Sequence, residues 1–263
     1  MQGTPGFQGY TMYKASPLFL AAFALLLPAP VHAASYTVNP TRVYLKASAQ
    51  SALMTLTNES DAPLRMQIRA QQWTQTRAGR MELSATADLI VFPTLVTLNP
   101  GEQRRIRVAT SVPFGAVEKS YRLYVEELPA AARDASAGPA VRILTRMGIP
   151  VFLQPSRPVA TATLQAVGLS GGKVAFELAN TGNTHYIPDG ITVRGFTAAG
   201  QPVSDWPVHG WYVLAGGTRA FEVELEAPAC ADVRSLLIEV RIGQTVLKSP
   251  LTTPGGACAA SAP

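Results

Sequence analysis

Long helical periodicity is missing from this sequence, and so is any apolar run long enough to cross a bilayer. No long segment of the 263 residues repeats apolar positions at three- and four-residue spacing, which an amphipathic helix requires. Ordinary mixed domains devote roughly a third of their residues to helix, so this absence excludes a helical bundle and points to an all-β chain. The longest apolar run, Leu18 to Leu27, is about half the ~20 residues that span a membrane. Charge is sparse, at 15% of residues, and there are only 2 cysteines and 3 histidines. Cys230 and Cys258 have no further cysteine or nearby histidine, too few ligands for a metal site. His185 and His209 lie far apart without ligand spacing and read as surface or loop residues. No Gly-x-Ser-x-Gly elbow occurs, nor any glycine-rich phosphate loop. The carboxylates are scattered, and Glu126 and Glu127, being adjacent, fall on opposite faces of a strand. The sequence thus reads as a non-enzyme that needs no cofactor. Arg104, Arg105 and Arg107 form a basic cluster without interleaved aromatics, which argues against nucleic acid as a partner.

What is present is a leader followed by many short strands. Lys14 precedes the apolar run, and Val31-His32-Ala33 has the small or apolar residues that a signal peptidase reads. Residues 1–33 are therefore expected to be a cleaved signal peptide. The mature chain is expected in an exported, oxidising compartment with no membrane-inserted segment. There Cys230 and Cys258 are expected to pair as a disulfide. Leu64, Met66, Ile68 and Ala70 alternate with Arg65, Gln67, Arg69 and Gln71, the pattern of a half-buried strand. Further strands are predicted at 41–45, 51–57, 89–92, 95–98, 105–109, 122–127 and 141–153. Turn residues such as Asn99-Pro100-Gly101-Glu102 separate them. A second set follows at 160–167, 173–179, 191–196, 220–225, 235–242 and 245–248. Gln154-Pro155-Ser156-Arg157-Pro158 reads as a stiff linker between the sets. The expected architecture is two immunoglobulin-like β-sandwiches at an angle, over residues 35–154 and 159–263.

One predicted strand is over-long. Val141, Ile143, Thr145, Met147, Ile149 and Val151 share one face of it, whereas the usual strand has five or six residues. A long apolar strand is either a central core strand or an exposed edge, and an exposed edge is a liability unless a partner pairs with it. The stretch Ala130 to Pro139 before it is small, polar and Gly/Pro-containing, and is expected to be a loop.

Several segments together resemble the PapD-like periplasmic chaperones of pilus assembly, and most closely their archaic branch. They are Val38-Asn39-Pro40-Thr41-Arg42-Val43-Tyr44-Leu45, Leu56-Thr57-Asn58, Val91-Phe92-Pro93, Leu98 to Glu102, Arg105 to Val108, Tyr121 to Pro129 and Ile149 to Phe152. Their order and spacing over about a hundred residues carry the resemblance; the second half carries it more weakly. The resemblance implies a periplasmic chaperone that stabilises pilin subunits by lending them a β-strand and hands them to an outer-membrane usher. It implies a donor strand in which Val141, Ile143, Thr145 and Met147 enter the client. It also implies a pair of cations that grips the client's C-terminal carboxylate. Arg42 matches the first by its Pro-Thr-Arg context. Pro150 stands where many members carry lysine, and Arg122 and Arg146 are the candidates for the second. The rival reading is a secreted two-domain immunoglobulin-like adhesin or binding module.

Overall fold

The structure is a computed structural model and describes residues 35–129, 143–227 and 229–253. Seventeen strands and one four-residue helix form among them. The first ten are β1 (Tyr36–Asn39), β2 (Val43–Leu45), β3 (Ser51–Asn58), β4 (Leu64–Gln75), β5 (Met81–Ala85), β6 (Leu89–Phe92), β7 (Leu95–Leu98), β8 (Gln103–Thr110), β9 (Lys119–Leu128) and β10 (Arg146–Leu153). They make two sheets, ordered β1-β3-β8-β6 and β2-β10-β9-β4-β5, with β7 also paired to β4. The core between them holds Met54, Leu56, Met66, Ile68, Ile106, Leu123, Val125, Ile149 and Val151. Period-2 alternation dictates this, since residues two apart on a strand share a face.

The remaining strands are β11 (Ala162–Ser170), β12 (Lys173–Asn180), β13 (Gly190–Phe196), β14 (Pro202–Val208), β15 (Thr218–Glu224), β16 (Ser235–Ile242) and β17 (Thr245–Thr252), with the helix α1 (Ala229–Asp232) before β16. They form the sheets β11-β12-β15 and β14-β13-β16-β17 around Val174, Phe176, Val193, Phe221, Ile238 and Val240. Residues 154–161 form no strand and join the two sandwiches.

Both sandwiches turn a corner on a buried asparagine. Asn58 Nδ2 donates to Ala62 O at 2.9 Å and Leu98 O at 3.0 Å. Asn180 Nδ2 donates to Thr184 O at 2.9 Å and Val213 O at 3.0 Å. In each case the side-chain oxygen accepts the backbone N–H two residues on, so the amide satisfies turn groups that no ladder reaches.

The all-β expectation holds, with differences in detail. Strands β1, β5 and β14 are additional to those predicted. The strand predicted over 141–153 runs only from Arg146 among the described residues, with Ile143 to Thr145 outside regular structure. The expected leader 1–33, the loop Ala130–Pro139, the donor residue Val141 and Cys258 lie outside the described residues, while Cys230 is buried in α1. His185 is in a loop as expected, but it is not a surface residue. Its side chain is 9% exposed because Glu118 of the first sandwich meets it.

Candidate functional site

The two sandwiches meet on the outer face of the sheet that contains β9 and β10. Along β9, Tyr121, Leu123 and Val125 enter the core, so Arg122, Tyr124 and Glu126 face out. On β4 the outward series Arg65, Gln67, Arg69, Gln71 ends in Trp73, and on β10 the outward series ends in Phe152. These two aromatics are buried by Tyr212 and Leu214 of the second sandwich, forming a small third core.

Aromatic rings line this joint. Phe152 stacks on His185 with centroids 3.7 Å apart, Tyr44 stacks on Phe152 at 5.6 Å, and Trp73 meets Tyr212 edge-on at 5.2 Å. Two latches hold it. The Glu118 carboxylate accepts from Thr184 Oγ1 at 2.6 Å and from the His185 backbone N–H at 3.1 Å, and pairs with His185 Nδ1 at 2.6 Å. The turn between β4 and β5 supplies the second. Arg77 pairs bidentately with Glu177 at 2.5 and 2.7 Å, Arg77 O accepts from Ala220 N–H at 2.7 Å, and Gln75 Nε2 donates to Tyr212 O at 2.9 Å. Arg77 holds the Glu177 carboxyl below the usual carboxylate range. Gly79 is required in this turn. Its φ is +77°, and a Cβ there would lie 2.6 Å from Arg219 Nε.

Glu118 has no exposed side-chain surface, so Glu118→Gln tests the first latch. The amide keeps the shape but weakens three charge-assisted bonds, and the expected loss is about 1–3 kcal/mol of unfolding free energy. A denaturant midpoint unchanged from wild type would show that the joint does not depend on that carboxylate.

Two of the three predicted cations converge on the joint. The Arg122 Cζ stands 4.0 Å from the Trp73 ring centroid and 5.7 Å from that of Tyr212. The Arg42 Cζ stands 5.8 Å from the same Tyr212 ring. Arg122 is only 6% exposed, and burial pulls its guanidinium below the ordinary arginine value. Its Nε and Nη2 have no hydrogen-bond partner among the described residues, while Nη1 reaches Gly148 O at 3.4 Å. Arg146 is placed elsewhere. It is four residues before Pro150, about 13 Å along the strand. There it pairs with Glu126 at 2.7 Å and lies over Tyr124 at 3.7 Å. Pro150 sits directly opposite Arg122 in the β9–β10 register.

The cations stand at the end of a sheet edge that is unpaired among the described residues. Glu127 N–H donates to Thr145 O at 2.9 Å, continuing the register in which Arg146 opposes Glu126. Opposed residues of an antiparallel ladder exchange bonds at every second pair. Thr145, Met147, Ile149 and Val151 therefore aim their backbone groups at β9, whereas Arg146, Gly148, Pro150 and Phe152 aim theirs away. Gln154, of the same parity, gives its N–H to Leu45 O at 2.9 Å. Strand β2 runs parallel to β10 and covers that edge only at Val151 to Leu153. Among the described residues no strand pairs with the edge from Arg146 to Pro150. Arg42 immediately precedes β2, so it stands where the open edge stops.

Of the predicted donor residues, Ile143 is 54% exposed. Thr145 is half-buried beside Glu127, whose Oε2 lies 3.3 Å from its hydroxyl. Met147 packs against the first core. Sequence reasoning missed Trp73, Phe152, Tyr212, His185 and Glu118. A signal existed for the first two: each is an aromatic at an outward position of its strand, which only a covering partner explains.

The family described as "Pili and flagellar-assembly chaperone, PapD N-terminal domain" matches residues 35–158. A comparison with the curated proteins finds no match to the sequence. Among solved structures, similarity extends to a chain of the CsuC-CsuE chaperone-tip adhesion subunit pre-assembly complex from archaic chaperone-usher Csu pili of Acinetobacter baumannii. Identity is 18%, with 81% of this chain and 97% of that one covered and a TM-score of 0.56. A chain of the Salmonella enterica SafA pilin complex with the SafB chaperone is 14% identical over 82% of this chain and 96% of that one, with a TM-score of 0.52. The E. coli chaperone DraB is 16% identical over 84% and 98%, with a TM-score of 0.50. At these identities the likeness is one of fold, and it extends over both sandwiches.

Proposed function

We propose that the chain belongs to the family of pili and flagellar-assembly chaperones whose PapD N-terminal domain matches residues 35–158, and that it binds pilin subunits in the periplasm, completes their fold with β10 and delivers them to an outer-membrane usher. It acts by binding, not by catalysis. Residues 1–33 serve as the signal peptide, residues 35–154 and 159–263 form the two domains, and Cys230 pairs with Cys258.

The open edge of β10 carries this reading. A client strand added there finds the outward N–H and C=O groups of Arg146 and Gly148. In the sequence alternation Val141, Ile143, Thr145 and Met147 share the parity of the core residues Ile149 and Val151, so in the complex the client's groove would become an extension of the first core. Direction follows from charge. The cations stand at the β2 end of the edge, so a chain with its carboxylate there runs parallel to β10. It ends in line with β2, against Arg42 and Arg122. Arginine suits a carboxylate because its planar fork binds both oxygens. Arg42 and Arg122 are the anchor pair in this reading, and Arg146, engaged by Glu126, lies beside the client strand instead.

Exposed Arg42 makes the milder test. Arg42→Ala is expected to fold as wild type and to weaken the pilin complex by about 1.5–3 kcal/mol, roughly ten- to a hundredfold in Kd. One-to-one recovery of pilin from periplasm at wild-type yield would place the anchor elsewhere. Wild-type protein that stays soluble, recovers no pilin and binds a surface ligand would be an adhesin.

A further inference from the structure

The placement of Pro150 has a consequence for where a bound chain must stop. Within the reading of β10 as a lent strand, we propose that Pro150 is a ladder stop that selects a client's terminal carboxylate over a continuing chain. The geometry has three parts. Residues 146, 148 and 150 direct their backbone groups to the open edge, by the alternation that the Thr145–Glu127 bond sets. Along a parallel partner, successive outward N–H groups meet carbonyls two residues apart. Arg146 and Gly148 supply the first two donors of that series, and residue 150 would supply the third. Proline has no N–H, so the third client oxygen meets no backbone donor.

Arg122 stands at that gap. It is the cross-strand neighbour of Pro150, and its Nη1 already reaches across β10 to Gly148 O at 3.4 Å. An internal carbonyl at the gap has one neutral acceptor to offer, and its chain must then continue into the start of β2, where Val43 opposes Val151. A terminal carboxylate has two charged oxygens, one for the guanidinium and one for solvent or Arg42, and no residue that follows. Pro150 thus removes a sequence-independent bond and leaves a charge-dependent one in its place. The side chain of Pro150 is buried, so the ring also fills the space beside Arg122 that a smaller residue would open to water.

The test uses the full mature protein and an eleven-residue peptide, two lysines followed by alternating valine and threonine, made with a free carboxylate and as the C-terminal amide. Amide exchange at Arg146 and Gly148 reports whether the edge is occupied, and titration reports affinity. The expected result is protection of both amides, a preference of about tenfold or more for the acid, and a preference below about threefold in Pro150→Ala, because the restored N–H donates to the amide's carbonyl oxygen. Pro150→Ser carries the same test should the alanine variant not fold. Absence of protection at Gly148 with either peptide would overturn the lent-strand reading itself. Protection with equal affinity for acid and amide in wild type, or a full acid preference retained in both Pro150 variants, would leave that reading standing and overturn the ladder stop.

Discussion

Ile143→Asp is expected to leave the free protein's melting temperature within a degree or two of wild type and to abolish its pilin complex. The side chain is 54% exposed, so an aspartate there stays hydrated in the free chain, and exposed substitutions of this kind fall within about 0.5 kcal/mol. In the proposed complex the same side chain enters the client's groove, where an unpaired carboxylate is costly enough to be expelled or neutralised. A loss of a hundredfold or more in complex yield is expected, with pilin aggregated or degraded. Met147 supplies the contrast. It packs partly on the protein's own core, so Met147→Asp should lower the melting temperature as well as the complex. If Ile143→Asp melts early, the residue belongs to the protein's own core. If it melts normally and still yields full complex, the client uses another strand.

The donor face and the cation pair differ in how far the residues alone reveal them. Alternation placed Ile143, Met147 and Val151 on one face before any coordinates, because strand periodicity is a local property. It also separated Arg122 from the core residues Leu123 and Val125. Alternation could not choose between Arg122 and Arg146, because both lie on outward positions and their distance from the joint depends on register. Register is set by pairing between strands far apart in sequence. The opposition of Pro150 and Arg122 is such a fact. His185 shows the same limit from the other side. In a polar loop sequence it reads as solvated, and only the approach of Glu118, 67 residues away, makes it part of a joint. Trp73 is the instructive miss. It completes an outward row of Arg65, Gln67, Arg69 and Gln71, and an indole at the end of a polar row indicates that something covers it. The strand β5 carried a readable signal, Met81, Leu83 and Ala85 alternating with Glu82 and Ser84, although in the fold only Leu83 of the five is even partly buried.

Arg122→Met is expected to hold or raise the melting temperature while removing the client. Arg122 is a buried cation with two nitrogens that lack hydrogen-bond partners among the described residues, and its burial already disfavours the charged form. Each buried donor left unsatisfied costs about 1–3 kcal/mol, so the two nitrogens together cost about 2–6 kcal/mol, of which the stacking on Trp73 and Tyr212, at about 2 kcal/mol for a desolvated cation–π contact, offsets part. Methionine fills a similar volume against the same rings and carries no group to desolvate, and replacing buried charges by apolar side chains of similar size is often neutral or stabilising. Binding should respond in the opposite sense. A client carboxylate brought to this joint against a thioether is a buried charge without its partner, a loss of about 2–5 kcal/mol, or roughly thirty- to several-thousandfold in Kd. Arg122→Lys should recover part of the binding, because it restores the charge without the planar fork. The measurement pairs thermal unfolding of the three proteins with their recovery of pilin from periplasm. A methionine variant that is destabilised and still binds fully would make Arg122 a structural stack between the sandwiches. A variant at least as stable as wild type that has lost its client would mean that the chain tolerates an unsatisfied guanidinium in its joint because the client's chain end satisfies it.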